Sequence, residues 1–172
     1  NPIYLVIGNR RDRRSTMNDI TIRNLYCEVP AVKADSGYEY EGPIEDNPRN
    51  TSPSGIVGLV DNCIENVVLE NREIVYPGGG DKNIACVELD DLDRIPEMPK
   101  AYPEFSQHKE LPAWGFFIRH VNNISFKNVK LTALKKDYRV AIVLDDVENS
   151  SFEKMEILEP NSKREKQIFE RK

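Results

Sequence analysis

Few side chains in this 172-residue chain could do chemistry. The adjacent pair Asp145-Asp146 could supply an acid and a base, but it closes the apolar run Ala-Ile-Val-Leu and reads as a turn. His120 falls in a turn after a strand, where a hydrogen-bonded structural role is expected, and His108 lies in an acidic loop with no partner evident from sequence. Asp90, Asp91 and Asp93 suggest a calcium loop, yet the glycine and terminal glutamate of that pattern are missing. Gly78-Gly79-Gly80 is followed by no Lys-Ser or Lys-Thr and by no helical periodicity, so it reads as a turn and not a phosphate loop. Cys27, Cys63 and Cys86 cannot all pair, form no CxxC, and read as buried free thiols. Nothing in these spacings calls for a metal or a cofactor. Arg10, Arg11, Arg13 and Arg14 form a basic loop. Guanidinium groups pair bidentately with carboxylates, so this loop is either a solvated surface or a carboxylate-binding rim.

The elements that would carry these residues follow one repeated pattern. In Trp114–Leu131, WGFFIRHVNNISFKNVKL, a short strand Gly115–Ile118 leads through a turn at His120–Asn123 into Ile124-x-Phe126-x-Asn128-Val129-x-Leu131. Ile124 and Phe126 share one face by strand alternation, and the beat slips by one at Asn128, which marks a bend. Asn suits a bend because it tolerates left-handed backbone angles and its amide bonds to exposed backbone groups. The same corner recurs at Asn24 and Asn71, and again at Lys154, where Ser150 occupies an expected apolar position. If the copies lie one above the next, Asn24, Asn71 and Asn128 stack and their amides bond along the column. The corners are 47, 57 and 26 residues apart, and matching strands sets Gly55 against Gly115. Such spacing excludes strict-period arrays, including leucine-rich repeats, whose LxxLxL run is also missing.

Two insertions interrupt the pattern. Residues 28–53 carry Tyr38 and Tyr40, which either stack on sugar faces or pin the loop to the body, and residues 81–112 are rich in Asp, Glu and Pro. The tail from Leu158 is mixed in charge and ends in a helix or strand near Gln167–Phe169. Asn1–Gly8 is strand-like with nothing before it to cover its edge, which suggests a cut through a longer protein. A net charge of −5 argues against nucleic acid as the main partner. No run approaches the ~18 apolar residues of a membrane span.

The ordered motifs NPIYLVIGNR, ITIRN, GYEYEGP, SGIVG, ENVVLEN, VYPGGG, LPAWGFFIRHV and ISFKNVKL resemble the C-terminal part of bacterial proteins of glycoside hydrolase family 28, the polygalacturonases. The resemblance covers residues 1–157, with 158–172 as a charged tail. It implies an all-β fold, a right-handed parallel β-helix of about four coils with two long loop insertions. It also implies a secreted or periplasmic protein that hydrolyses pectin-type uronic acid polymers with inversion, a chemistry that needs two carboxyl groups about 6.5–9.5 Å apart. The family's Asn-Thr-Asp, Asp-Asp, Gly-His-Gly and Arg-x-Lys motifs are not found here in context, so this chain alone is expected to be inactive. By position, Asn9 and Arg10 fall at the end of a strand bordering the family's cleft and are the expected contacts to a substrate carboxylate. The open first coil is expected to be covered by missing N-terminal coils or by self-association. The competing reading is a non-catalytic β-helix that binds polysaccharide or serves as a stalk.

Overall fold

The computed structural model describes residues 1–11, 14–32, 52–82, 87–101, 108 and 111–172. The expectations for Arg13, Tyr38, Tyr40 and Cys86 lie outside the described residues. Among the described residues there are seven strands: β1 (Tyr4–Val6), β2 (Asn18–Glu28), β3 (Ser54–Val57), β4 (Ile64–Gly78), β5 (Ala113–Lys135), β6 (Val140–Leu158) and β7 (Ile168–Arg171). Helical structure among the described residues is limited to short turns such as Leu92–Arg94, and no helix is long and apolar enough to cross a membrane. All six strand pairings are parallel. β1 and β2 form one tier, β3 and β4 the next, β5 and β6 a tier each, and β7 lies over the start of β6.

Strands as long as the 23 residues of β5 curl because certain residues hold left-handed angles. Asn24, Asn71, Asn128 and Lys154 all have φ between 52° and 55°, at matching positions of four tiers. Asn71 Nδ2 donates to Asn24 Oδ1 at 3.3 Å, and Asn128 Nδ2 donates to Asn71 Oδ1 at 2.9 Å. A second column, unread in the sequence, runs through Asp19, Asn66, Asn123 and Asn149, again with positive φ. Asn66 donates to Asp19 and Asn123 to Asn66, both at 2.9 Å. A third bend sits at His120 and Asp146, each with φ of 53°. The segments expected as separate strands around His120–Asn123 are therefore one strand bent three times.

Between bends the alternation places one set of side chains inward. Ile22, Leu69, Phe126 and Phe152 stack through the tiers, and the Phe126 and Phe152 rings lie parallel with centroids 5.0 Å apart. Phe116 meets Phe126 edge-on at 5.4 Å. Tyr76 is buried among them; its hydroxyl donates to Gly115 O at 2.8 Å and pairs with Ser54 Oγ at 2.7 Å, so no buried polar atom of the ring is wasted. One rung breaks the apolar rule: Arg72 lies between Leu25 and Val129, is only 3% exposed, and none of its guanidinium nitrogens has a hydrogen-bond partner. Burial holds its pKa below the ordinary value.

The insertion after Gly80 builds a second, smaller core outside the sheet. Val87, Leu92, Ile95 and Leu111 pack on Val57, Phe117 and Val143, so this part of β5 is buried on both faces. The tail residues Ile168–Arg171 take the strand alternative and pair with Ile142–Asp145. In place of the turn expected at Gly78–Gly80, β4 ends in two left-handed glycines: Gly78, its last residue, has φ of 60° and Gly79 of 78°, and a Cβ on Gly78 would lie 2.2 Å from Lys135 O. Gly80 N then donates to Asp137 Oδ2, and Arg139 binds both oxygens of the same buried carboxylate. Burial alone would raise the Asp137 carboxyl, but the bonds and charge of Arg139, with the N–H of Gly80, outweigh it and leave it below 3.8.

Two stability measurements check these assignments. Asn71→Ala and Asn71→Gly both lose the column's hydrogen bonds, but only Ala strains at positive φ, so in denaturant unfolding the Ala variant is less stable by about 1 kcal/mol. Because the folded Asp137 binds a proton less readily than the unfolded one, its contribution is intact above pH 3.8 and drains away as pH falls through the folded value. The stability gap between the wild type and Asp137→Asn therefore narrows on acidification below that pH.

Candidate functional site

The register exposes where a cleft is built. Gly55 pairs with Phe117 and not with Gly115, whereas Ile64 pairs with Val121, so the offset between tiers drops from 62 to 57 residues across Gly58–Cys63. Five extra residues leave the sheet where β5 has only the His120 bend. Leu59 and Asn62 bond each other's backbones at 2.8 and 3.0 Å and close this excursion into a tight loop. Gly58 starts it because a Cβ there would lie 2.3 Å from His120 O. Asn62 Nδ2 donates to Ser15 O at 2.7 Å, tying the loop to the basic segment. The result is a cleft of about 470 Å³ lined by Arg14, Asp61, Cys63, Asn122, Asp146 and Glu148, among others.

The sequence-chosen residues divide around it. Asn9 Oδ1 accepts from Ser15 N at 3.1 Å, and Asn9 N donates to Pro99 O at 2.6 Å, so Asn9 braces the loop. Arg10 is exposed on that loop, and Arg14 is the arginine that reaches the cleft. Arg14 and Asp61 are 4.0 Å apart and both well exposed, a pairing of little energetic weight. Cys27 and Cys63 are free thiols, only partly buried and not fully enclosed as expected. Burial, then the carboxylates of Asp146, Glu148 and Glu65, push the Cys63 thiol up, which disfavours the nucleophilic thiolate.

A chain of charges runs from the cleft to β7. Asp146 Oδ2 lies 2.6 Å from His120 Nδ1, and His120 Nε2 lies 2.8 Å from Glu97 Oε1. Glu97 is 3.4 Å from Arg119, whose Nε is 2.9 Å from Asp145 Oδ2. Asp145 Oδ1 accepts from Arg171 at 2.7 Å, and Arg171 donates to Asp93 at 2.8 Å. Arg119 also donates to Ile95 O at 2.7 Å. Asp91 turns to Arg94 at 3.3 Å, so Asp91 and Asp93 both face arginines.

Chemically this network is committed. Both ring nitrogens of His120 are engaged by carboxylates, which leaves neither to take a proton from a substrate. Asp145 is buried between two guanidinium groups. Asp146 is the member of this network that lines the cleft, together with Glu65, Glu148 and Asp61, and among the described residues no serine or threonine is bonded to His120. No family model, no curated protein and no solved structure matches this chain.

Replacing Asp145 tests how much the network supports. Asp145→Leu leaves the buried Arg119 with only Glu97 and Ile95 O to face it and weakens the hold on β7, at an expected cost of about 3 kcal/mol in denaturant unfolding. Asp146→Asn keeps a side chain that tolerates the left-handed bend and costs much less.

Proposed function

We propose that this chain forms coils of a right-handed parallel β-helix of the polygalacturonase type, and that it binds a pectin-type acidic polysaccharide outside the cell without cleaving it. The observation that carries this reading is the column of left-handed Asn24, Asn71 and Asn128 in parallel register, with amides bonded from tier to tier. Parallel strands stacked with inward apolar rungs and corner amides are what a solenoid needs. The basic loop offers the acidic sugar its carboxylate partners: Arg10 is exposed, and Arg14 lines the cleft.

A second reading has its own support. Four carboxylates and one arginine among the cleft residues disfavour a polyanion within the cleft itself and favour a neutral, hydroxyl-rich chain there. Calorimetric titration with oligogalacturonate and with its fully methyl-esterified form separates the two. Tighter binding of the acid form, weakened at least tenfold by Arg10→Ala with Arg14→Ala, supports the acidic ligand. Preference for the ester supports the neutral one, and binding of neither overturns both. Release of reducing sugar from polygalacturonate by the purified chain would show that it is catalytic after all.

A further inference from the structure

His108 is the one imidazole that the charged chain leaves out. It is 6% exposed, and among the described residues neither ring nitrogen has a hydrogen-bond partner. Its ring borders a cavity of about 10 Å³ between the second insertion and the outer face of the sheet. β1 contributes Val6 and Ile7 to the walls, and β3 contributes Val57 and Gly58. Among the described residues, the charged groups there are Arg119 from β5 and Glu97 from the insertion. So small a space admits no hydrated counter-ion, and a charge arriving on His108 must be met by what already surrounds it. Arg119 has the wrong sign. Glu97 is shared already by Arg119 and by His120.

We propose that His108 is an acid-operated latch: uncharged, it lets the segment Ile95–Ala101 close on the outer face of β1, β3 and β5, and a proton on its ring releases that segment. Besides the contacts of Glu97 with His120 and Arg119, packing and two hydrogen bonds hold the closed form. Ile95 packs in the outer core and gives its carbonyl to Arg119, while Pro99 O accepts from Asn9 N. The last contact matters for function, because Asn9 also braces the loop that carries Arg10 and Arg14. Opening the latch therefore loosens the basic rim as the surroundings acidify, a consequence that rests on the polysaccharide-binding reading. Burial, and then the nearby Arg119, hold the His108 imidazole below its ordinary value of 6.5, with Glu97 opposing. The unfolded or opened segment takes the proton more readily, so closure is complete above that pH and weakens as pH falls below it.

The test needs no ligand, so its failure is separate from a failure of the carbohydrate reading. Amide hydrogen exchange, corrected for intrinsic rates, is followed by NMR from pH 7.5 to pH 5 in the wild type and in His108→Gln. Protection of the Asn9 amide is expected to fall by up to about tenfold per pH unit below about 6.5 in the wild type. Protection of the Phe126 amide, deep in the stack, stays unchanged, and His108→Gln shows no such fall. Flat protection at Asn9 in the wild type, or an equal fall in His108→Gln, overturns the latch. Should that variant not fold, the ring shifts of His108 in the wild type decide: they must titrate over the same pH range as the loss of protection, and a mismatch overturns the proposal.

Discussion

The structure depends on one geometric condition: each left-handed residue at which a strand bends must sit above another. Parallel ladders run unbroken on both sides of the Asn24, Asn71, Asn128 and Lys154 column, from Ile20–Val67–Ile124 before it to Cys27–Ile74–Leu131 after it. A bend displaced by one residue in any tier would turn every following apolar side chain outward, because strand alternation has a period of two. The amide bonds along the column are individually modest, worth about 1 kcal/mol each. Their larger effect is to make the shared position of the bends mutually reinforcing. The ring stack of Phe126 on Phe152 and the buried Tyr76 hydroxyl follow from that alignment.

Much of this was legible in the residues. The slip in alternation at Asn128 marked the bend, and its recurrence at Asn24, Asn71 and Lys154 placed four tiers correctly. The second column escaped notice although its signal was there. Asp19, Asn66, Asn123 and Asn149 each stand five residues before a member of the first column. Gly55 was misaligned because the glycine is shared by SGIVG and AWGFF, and a local match cannot report five residues that leave the sheet between β3 and β4. Glycine similarity competed with ladder pairing, and ladder pairing won.

The charged chain was hidden for a different reason. Asp93, Glu97, Arg119, Asp145 and Arg171 lie far apart in sequence, and none forms a local motif with its partner. Only the tiers and the outer core bring them together. Arg119, Asp145 and Arg171 stand one above another on β5, β6 and β7, so a strand from the tail completes a pairing begun in the middle of the chain. Each buried charge is then held by opposite charge on two sides, which offsets the cost of leaving water. The turn expected at Asp145-Asp146 is instead a left-handed bend inside β6, with Asp145 in the ladder, and the two neighbours point into different surroundings, one among arginines and one toward the cleft.

The excursion at Gly58–Cys63 leaves and rejoins the ladder between two paired positions, and the tier above passes over it at a single residue. Length added or removed at such a place is invisible to the rungs on either side. The body of the molecule thus acts as an inert frame, and the wall of the cleft as a replaceable part. New recognition can arise here by small gains and losses of residues, with no need to refold anything beneath.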